Sequence, residues 1–189
     1  NRVYVHLDGK FSETAWWDGL ASGNCFVTNG PLLRVRANDR LPGAVFTADG
    51  GEPLALKLDL QLTTLDRLRK LEVIQNGKVM QTIPRNGDRN QAHSLTLTVN
   101  ESGWFLIRGI AENLKTFRFA STAPFYTELG QAKRRISKSS SRFFLDWVNE
   151  RIERVKANIT DKSQQAEVLR SHESARKFWQ ERVRQSNAD

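Results

Sequence analysis

A chain of 189 residues is long enough for one good core, or for one domain and an appendage, and its 39% hydrophobic and 26% charged residues exclude a disordered composition. No apolar run approaches the roughly 18 residues of a membrane-spanning helix, and the single cysteine, Cys25, excludes an internal disulfide and a Cys-rich zinc site. The formal charge of +8 is unevenly spread: from Gln131 onward 14 Lys and Arg face 8 Asp and Glu, against 15 and 13 before it. A basic tail of this kind suits nucleic acid, an acidic membrane surface or an acidic protein.

The first residues, Asn1 to Leu7, alternate as a short strand. The chain opens on Asn rather than Met, which reads as an internal cut or processing site, with any targeting signal upstream. Ser12 suits an N-cap for a short helix over Glu13–Ala21, with Trp16, Trp17 and Leu20 on its buried face. Strands follow over Asn24–Thr28 and Leu32–Ala37, around the turn Asn29-Gly30-Pro31, and a second turn falls at Leu41-Pro42-Gly43. Gly50-Gly51 reads as a turn before the clearest strand, where Leu54, Leu56, Leu58, Leu60 and Leu62 alternate with a largely polar face. Asn76-Gly77 lies between two apolar-rich runs, Leu71–Gln75 and Lys78–Ile83, and predicts a hairpin. Further strands are expected at Leu95–Val99, Trp104–Arg108 and Thr116–Ala120.

Beyond Gly130 the pattern changes. Gln131–Ser141 reads as a basic, Ser-rich linker, with Ser139-Ser140-Ser141 capping a helix at Phe143. Phe144, Val148, Ile152, Val155 and Ile159 form a helical stripe, Thr160–Ser163 breaks it, and Leu169, His172, Ala175, Trp179 and Val183 form a second. The expected fold is therefore mainly β: an antiparallel sandwich of immunoglobulin or fibronectin type over residues 1–130, and a two-helix hairpin over 131–189.

Few residues suggest chemistry. His6, His93 and His172 fall in a strand, a polar loop and a helix, without His-x-His or His-Glu-x-x-His spacing, so no metal site is expected. His172 reads as a packed histidine, and Cys25, in the run Cys25-Phe26-Val27, as core. There is no Gly-x-Ser-x-Gly elbow and no phosphate loop. Asp8, Asp18, Asp59, Glu72 and Glu112 are scattered, mostly on solvent faces or in turns, with no evident acid pair. No catalytic, metal-ligating or cofactor-binding residue is assigned. Lys133-Arg134-Arg135, Lys138 and Arg142 cluster beside Phe143 and Phe144, which would suit single-stranded nucleic acid. Acids interleave along both helices, and Glu150–Arg154 and Glu173–Lys177 stand at i,i+4, which argues against that partner.

One set of motifs is more specific. Trp17-Asp18-Gly19-Leu20-Ala21-Ser22-Gly23, then Phe26-Val27-Thr28-Asn29-Gly30-Pro31-Leu32-Leu33, then Asn38 and Pro42-Gly43, stand in one order. Asn76-Gly77, Ser102-Gly103-Trp104 with Arg108, and Thr122-Ala123-Pro124-Phe125-Tyr126 follow. Over about residues 1–128 this resembles the segment after the catalytic domain in the CehA/McbA-like metallohydrolases of the PHP (polymerase and histidinol phosphatase) superfamily. Asp39 departs from that pattern, which often has Gly there. The resemblance implies a parent hydrolase of esters or phosphoesters, with a divalent metal on His and Asp ligands upstream of Asn1. This chain would be its non-catalytic C-terminal accessory domain, packed on the catalytic domain of the same polypeptide, with Asn29 and Arg108 as the polar candidates at the interface. The alternative is a free-standing module that binds carbohydrate or a protein partner through aromatics such as Trp16, Trp104 or Phe125, although core packing is the commoner duty of such residues.

Overall fold

The computed structural model describes residues 1–49, 52–84, 87–130 and 134–189. The turn expected at Gly50-Gly51 and the first part of the basic linker, Gln131 to Lys133, lie outside the described residues. The chain divides into two compact units, residues 1–133 and 134–189.

The first unit is mainly β. Its strands are β1 (Arg2–Val5), β2 (Cys25–Thr28), β3 (Leu32–Ala37), β4 (Val45–Ala48), β5 (Leu54–Thr63), β6 (Leu68–Gln75), β7 (Lys78–Thr82), β8 (Asn90–Val99), β9 (Gly103–Ala111), β10 (Arg118–Thr122) and β11 (Phe125–Leu129), with helix α1 (Glu13–Ala21) between the first two. They form a three-stranded antiparallel sheet, β3-β5-β8, and an eight-stranded sheet along β1-β2-β10-β9-β11-β4, with β6 on β9 and β7 on β6. Both sheets contribute to one core. Leu56, Leu58, Leu60 and Leu62 of β5, Leu33 and Val35 of β3, and Leu97 and Val99 of β8 meet Leu71, Val73, Phe105, Ile107 and Phe125 from the larger sheet. The alternation read in β5 thus has its physical cause: one face of a pleated strand is removed from water, at about 2 kcal/mol per buried leucine.

The expectation of purely antiparallel strands is corrected at one pair. β11 runs parallel to β4, with Tyr126 opposite Val45. Pro124 sits where the arrangement changes. β10 and β11 run in the same direction along one edge of β9, with Ala120 opposite Gly109 and Phe125 opposite Phe105. Between them Pro124 has no N–H to give a ladder, but its carbonyl accepts from Gly43 N at 2.8 Å. On one side of this break the neighbour is β2, antiparallel; on the other it is β4.

The turns follow backbone chemistry. Asn76 and Gly77 both have positive φ, as a two-residue hairpin requires, and they join β6 to β7 as the sequence predicts. Asn38 and Asp39 also both have positive φ, and Ala37 and Arg40 exchange two backbone hydrogen bonds around them. The Asn-Asp pair therefore makes the tight reversal where glycine would be more relaxed. Asn38 holds it by accepting Lys57 N on its side-chain oxygen, at 2.8 Å.

Several assignments shift. The first strand is confined to Arg2–Val5, and β8 starts at Asn90, so His93 lies in a strand and not in a loop. Its partner across the ladder is the core residue Leu60, because the alternation of β8 continues past the polar residues that mimic a loop. α1 is capped by Ser12, whose hydroxyl accepts Ala15 N. Its contact residue is Gly19, buried against Val5 and the His6 carbonyl, and Trp17 is exposed. A helix lying this close to a strand uses its smallest side chain at the crossing, not its largest.

The second unit pairs α2 (Lys138–Asn158) with α3 (Lys162–Arg184). Ser137, not the later serines, caps α2 by accepting Ser140 N, so Ser139, Ser140 and Ser141 lie inside the helix. Asp161 caps α3 by accepting Gln164 N. The open end of the pair is tied by the residues after α3. Lys138 N donates to Ala188 O at 2.7 Å, and Asn187 N and Ile136 N each donate across the junction.

Gly43 tests the joint between α1 and the rest of the sheet. Its φ is +91°, and a Cβ there would collide with the Ser22 carbonyl, which is backbone and cannot swing away. Gly43→Ala is expected to lower the unfolding free energy by at least about 3 kcal/mol in urea titration.

Candidate functional site

The two interface candidates are both engaged within the chain. Asn29 lies half-buried at the end of β2. Its side-chain NH2 donates to Phe117 O at 2.7 Å, and its side-chain oxygen accepts Phe119 N at 2.8 Å. Its own N–H donates to Phe119 O. The amide side chain thus acts as an extra rung of the β2–β10 ladder. The buried Thr28 hydroxyl lies between the Pro31 and Phe119 carbonyls and accepts Gly30 N. The Thr28 and Asn29 side chains thus hold the turn Thr28–Pro31, together with the Asn29 N–H on Phe119 O.

Arg108 stands on β9, opposite Ser121 of β10 and Glu72 of β6. Its Nε and Nη2 both donate to Glu72 Oε2, at 3.2 and 2.8 Å, and Lys70 Nζ approaches Oε1 at 3.5 Å. The Glu72 side chain is only 4% exposed and that of Arg108 37%. The sequence placed Glu72 among scattered acids that fall mostly on solvent faces or in turns. Its position is instead buried, because its neighbours on the ladder are Arg108 and the apolar residues of β9. Hydrogen bonding from Arg108 holds the carboxyl below the ordinary carboxylate range, against the opposing effect of burial, with the charge of Arg108 and Lys70 assisting.

This pair lies on the face of the larger sheet turned away from the core. β9 buries Phe105, Ile107 and Ala111 inward, yet Trp104, Leu106 and Ile110 on its other side are only half-buried. The register extends that face to Tyr126, Val45, Val27 and Val3 on neighbouring strands. Val45 is 40% exposed and Tyr126 39%. A strand with one wet side ordinarily alternates apolar with polar; the outward side of β9 carries three apolar residues and Arg108, nearer the pattern of strands covered on both faces.

A concavity opens where β1 and β2 pass the three-stranded sheet. It is a cleft of about 840 Å³ whose lining includes Tyr4, Phe26, Val35, Leu60, His93 and Arg34. Tyr4 and Phe26 stack with ring centroids 5.1 Å apart. Asp59, also at this cleft, is held below the ordinary carboxylate range by hydrogen bonds from Lys57 and Ser94. His93 Nε2 lies 3.2 Å from Gln91 Oε1, and His6 Nε2 lies 3.1 Å from Asp8 Oδ1. Cys25 is half-buried rather than core, and burial pushes its thiol up, which disfavours the thiolate. The sequence reading missed Tyr4 and Phe26. Only strand pairing places them side by side, and no sequence spacing links residues 22 positions apart. Of the aromatics it singled out, Phe125 is core, and Trp104 and Trp16 are half-buried.

Among the described residues no three His, Cys, Asp or Glu come together in a way that could hold a metal ion. The resemblance puts its divalent metal on ligands upstream of Asn1, and no step of metal chemistry is assigned to the residues of this chain. The motifs that carry the resemblance act as joints: Gly23 packs against Gly43, and Asn76 accepts Trp104 N and donates to Glu101 beside Gly103. No protein-family model matches the chain, and no curated protein matches it.

The ion pair has a testable signature. Arg108→Ala is expected to cost about 2 kcal/mol in chemical denaturation, less than a fully desolvated pair because Arg108 keeps part of its side chain in water. Since the folded-state pKa of Glu72 is depressed, its contribution is complete above the unfolded carboxylate pKa of about 4.3 and is lost as pH falls through the folded value. Between pH 6 and pH 3 the wild type should therefore lose more stability than Glu72→Gln; parallel pH profiles would contradict this.

Proposed function

We propose that this chain is a non-catalytic accessory module of a larger PHP-type metal-dependent hydrolase, lying C-terminal to the catalytic domain of the same polypeptide and packing on it. We read its two-sheet unit as a sandwich of immunoglobulin or fibronectin type. A divalent metal would be held by His and Asp of the catalytic domain, and this chain would contribute surface and rigidity. The observation that carries the packing role is the outward side of β9, where Trp104, Leu106 and Ile110 continue into exposed Val45 and Tyr126 around the Glu72–Arg108 pair. Monomeric proteins rarely leave such a face to water. Asn29 and Arg108 support it from within, by joining β2 to β10 and β9 to β6.

The test is made in the longer polypeptide. Val45→Glu with Tyr126→Glu is expected to lower its thermal midpoint by about 5 °C and its hydrolytic turnover with it. The 189-residue chain carrying the same changes should keep its midpoint, because both side chains are already partly in water. Unchanged stability and turnover in the longer polypeptide would remove the packing role, as would a reading frame without His-x-His and Asp motifs upstream.

The cleft favours a second reading, a binding module for carbohydrate. An aromatic ring with one face left to the cleft beside polar groups suits a sugar ring, which presents apolar C–H on one side and hydroxyls around its edge. On a glycan array the 189-residue chain should then retain a ligand that Tyr4→Ala does not; a blank array removes this reading.

A further inference from the structure

The helical unit separates into two halves of different chemistry. The half nearest the α2–α3 connection, residues 148–175, carries five Lys and Arg and five Asp and Glu, and no aromatic residue. The open half, residues 134–147 and 176–189, carries eight Lys and Arg against three Asp and Glu, a side-chain net of +5, and every aromatic of the unit. Those aromatics form one connected group. Phe144 stacks on Trp179 with centroids 4.7 Å apart, Phe143 and Trp147 each contact Phe144, and Phe178 meets Trp179 edge to face. The group is not buried: Phe143 is 63% exposed, Trp147 53% and Phe178 49%.

Packing explains only part of this. Ile152 and Val155 are buried and form the internal seam, whereas Phe143 and Trp147 lie on the exposed side of the same helix. Exposed rings cost stability unless another phase receives them. The charge at that end specifies the phase, since Lys138 and Arg142 lie in the first turns of α2, and Arg182 and Arg184 in the last turn of α3. Arg182 lies over the Phe178 ring at 5.1 Å, and Arg184 pairs with Glu181. We propose that the open end of the helical pair is a peripheral docking site for an anionic phospholipid surface, with Phe143, Trp147 and Phe178 entering the headgroup–acyl boundary and Lys138 and Arg142 facing the lipid charge. Aromatic and apolar side chains insert into that boundary, and flanking cations add attraction to acidic headgroups. Single-stranded nucleic acid needs free ring faces for its bases. Here the Phe144 and Trp179 faces are stacked on each other and Arg182 lies over Phe178, which leaves only Phe143 and Trp147 for bases. No helix of the described residues is long and apolar enough to cross a membrane, which fits contact with a surface rather than insertion.

The experiment is flotation of the 189-residue chain with vesicles of phosphatidylcholine alone, or with about one third phosphatidylserine. Binding to the serine-containing vesicles should exceed binding to the neutral ones by at least about tenfold and fall in high salt. Phe143→Ser with Trp147→Ser, and separately Lys138→Gln with Arg142→Gln, should each lose most of it. Arg151→Gln with Arg170→Gln, in the charge-balanced half, should retain it. Four results would overturn the proposal: no flotation; equal flotation with both vesicle types; full flotation by the Phe143/Trp147 variant; or dimerisation or single-strand oligonucleotide binding that proceeds where flotation does not.

Discussion

The first unit depends on β9, whose backbone is committed along both edges. β6 occupies one edge from Leu68 to Gln75, while β10 and β11 divide the other between them. A strand held in this way cannot shift register without breaking three ladders at once, and a slip of one residue would exchange Phe105 and Ile107 for Leu106 and Arg108 in the core. The neighbouring elements are arranged by that commitment. The division of one edge at Pro124 lets β2 and β4 join the same sheet with opposite polarity, and the parallel pair follows from it.

Polar side chains serve this scaffold as joints. Asn29 adds a rung beyond β2, Asn38 pins a reversal to Lys57, and Asn76 closes the β6–β7 hairpin onto Trp104. Each is an amide able to donate and accept at once, which suits the place where a ladder ends and two backbone groups would otherwise lack partners. A charged joint is rarer. Glu72 and Arg108 hold β6 to β9 on the outward face, where two-point hydrogen bonding offsets the cost of removing the carboxylate from water. These residues hold the strands of the larger sheet in register. The helical pair adds a second kind of surface, cationic and aromatic, confined to one end.

The β-rich first unit and the helical pair were legible from period alone, because alternation and the three-to-four residue stripe are consequences of strand and helix geometry. Leu54 to Leu62 and Phe144 to Ile159 carry those periods without ambiguity. The polar start of β8 was not legible. Asn90 to Ser94 resembles a loop in composition, and only the ladder to β5 makes it a strand. Glu72 was misplaced for the same reason, since a carboxylate in a strand is assigned to water unless its cross-strand partner is known. The Tyr4–Phe26 pair and the outward face of β9 are likewise products of pairing.

By itself, the sequence determined the class of most elements, though not of β4 or β11, together with the Asn76-Gly77 hairpin, the tight turn at Thr28–Pro31 and the concentration of positive charge beyond residue 130. Those features depend on neighbours within a few positions, where backbone sterics and side-chain period act directly. The tertiary structure alone decided that β4 pairs in parallel, that Arg108 finds Glu72, and that β9 carries apolar residues on both faces. These follow from which strands become neighbours, and that choice is made by burial of the shared core across the whole unit, over separations that no local pattern encodes.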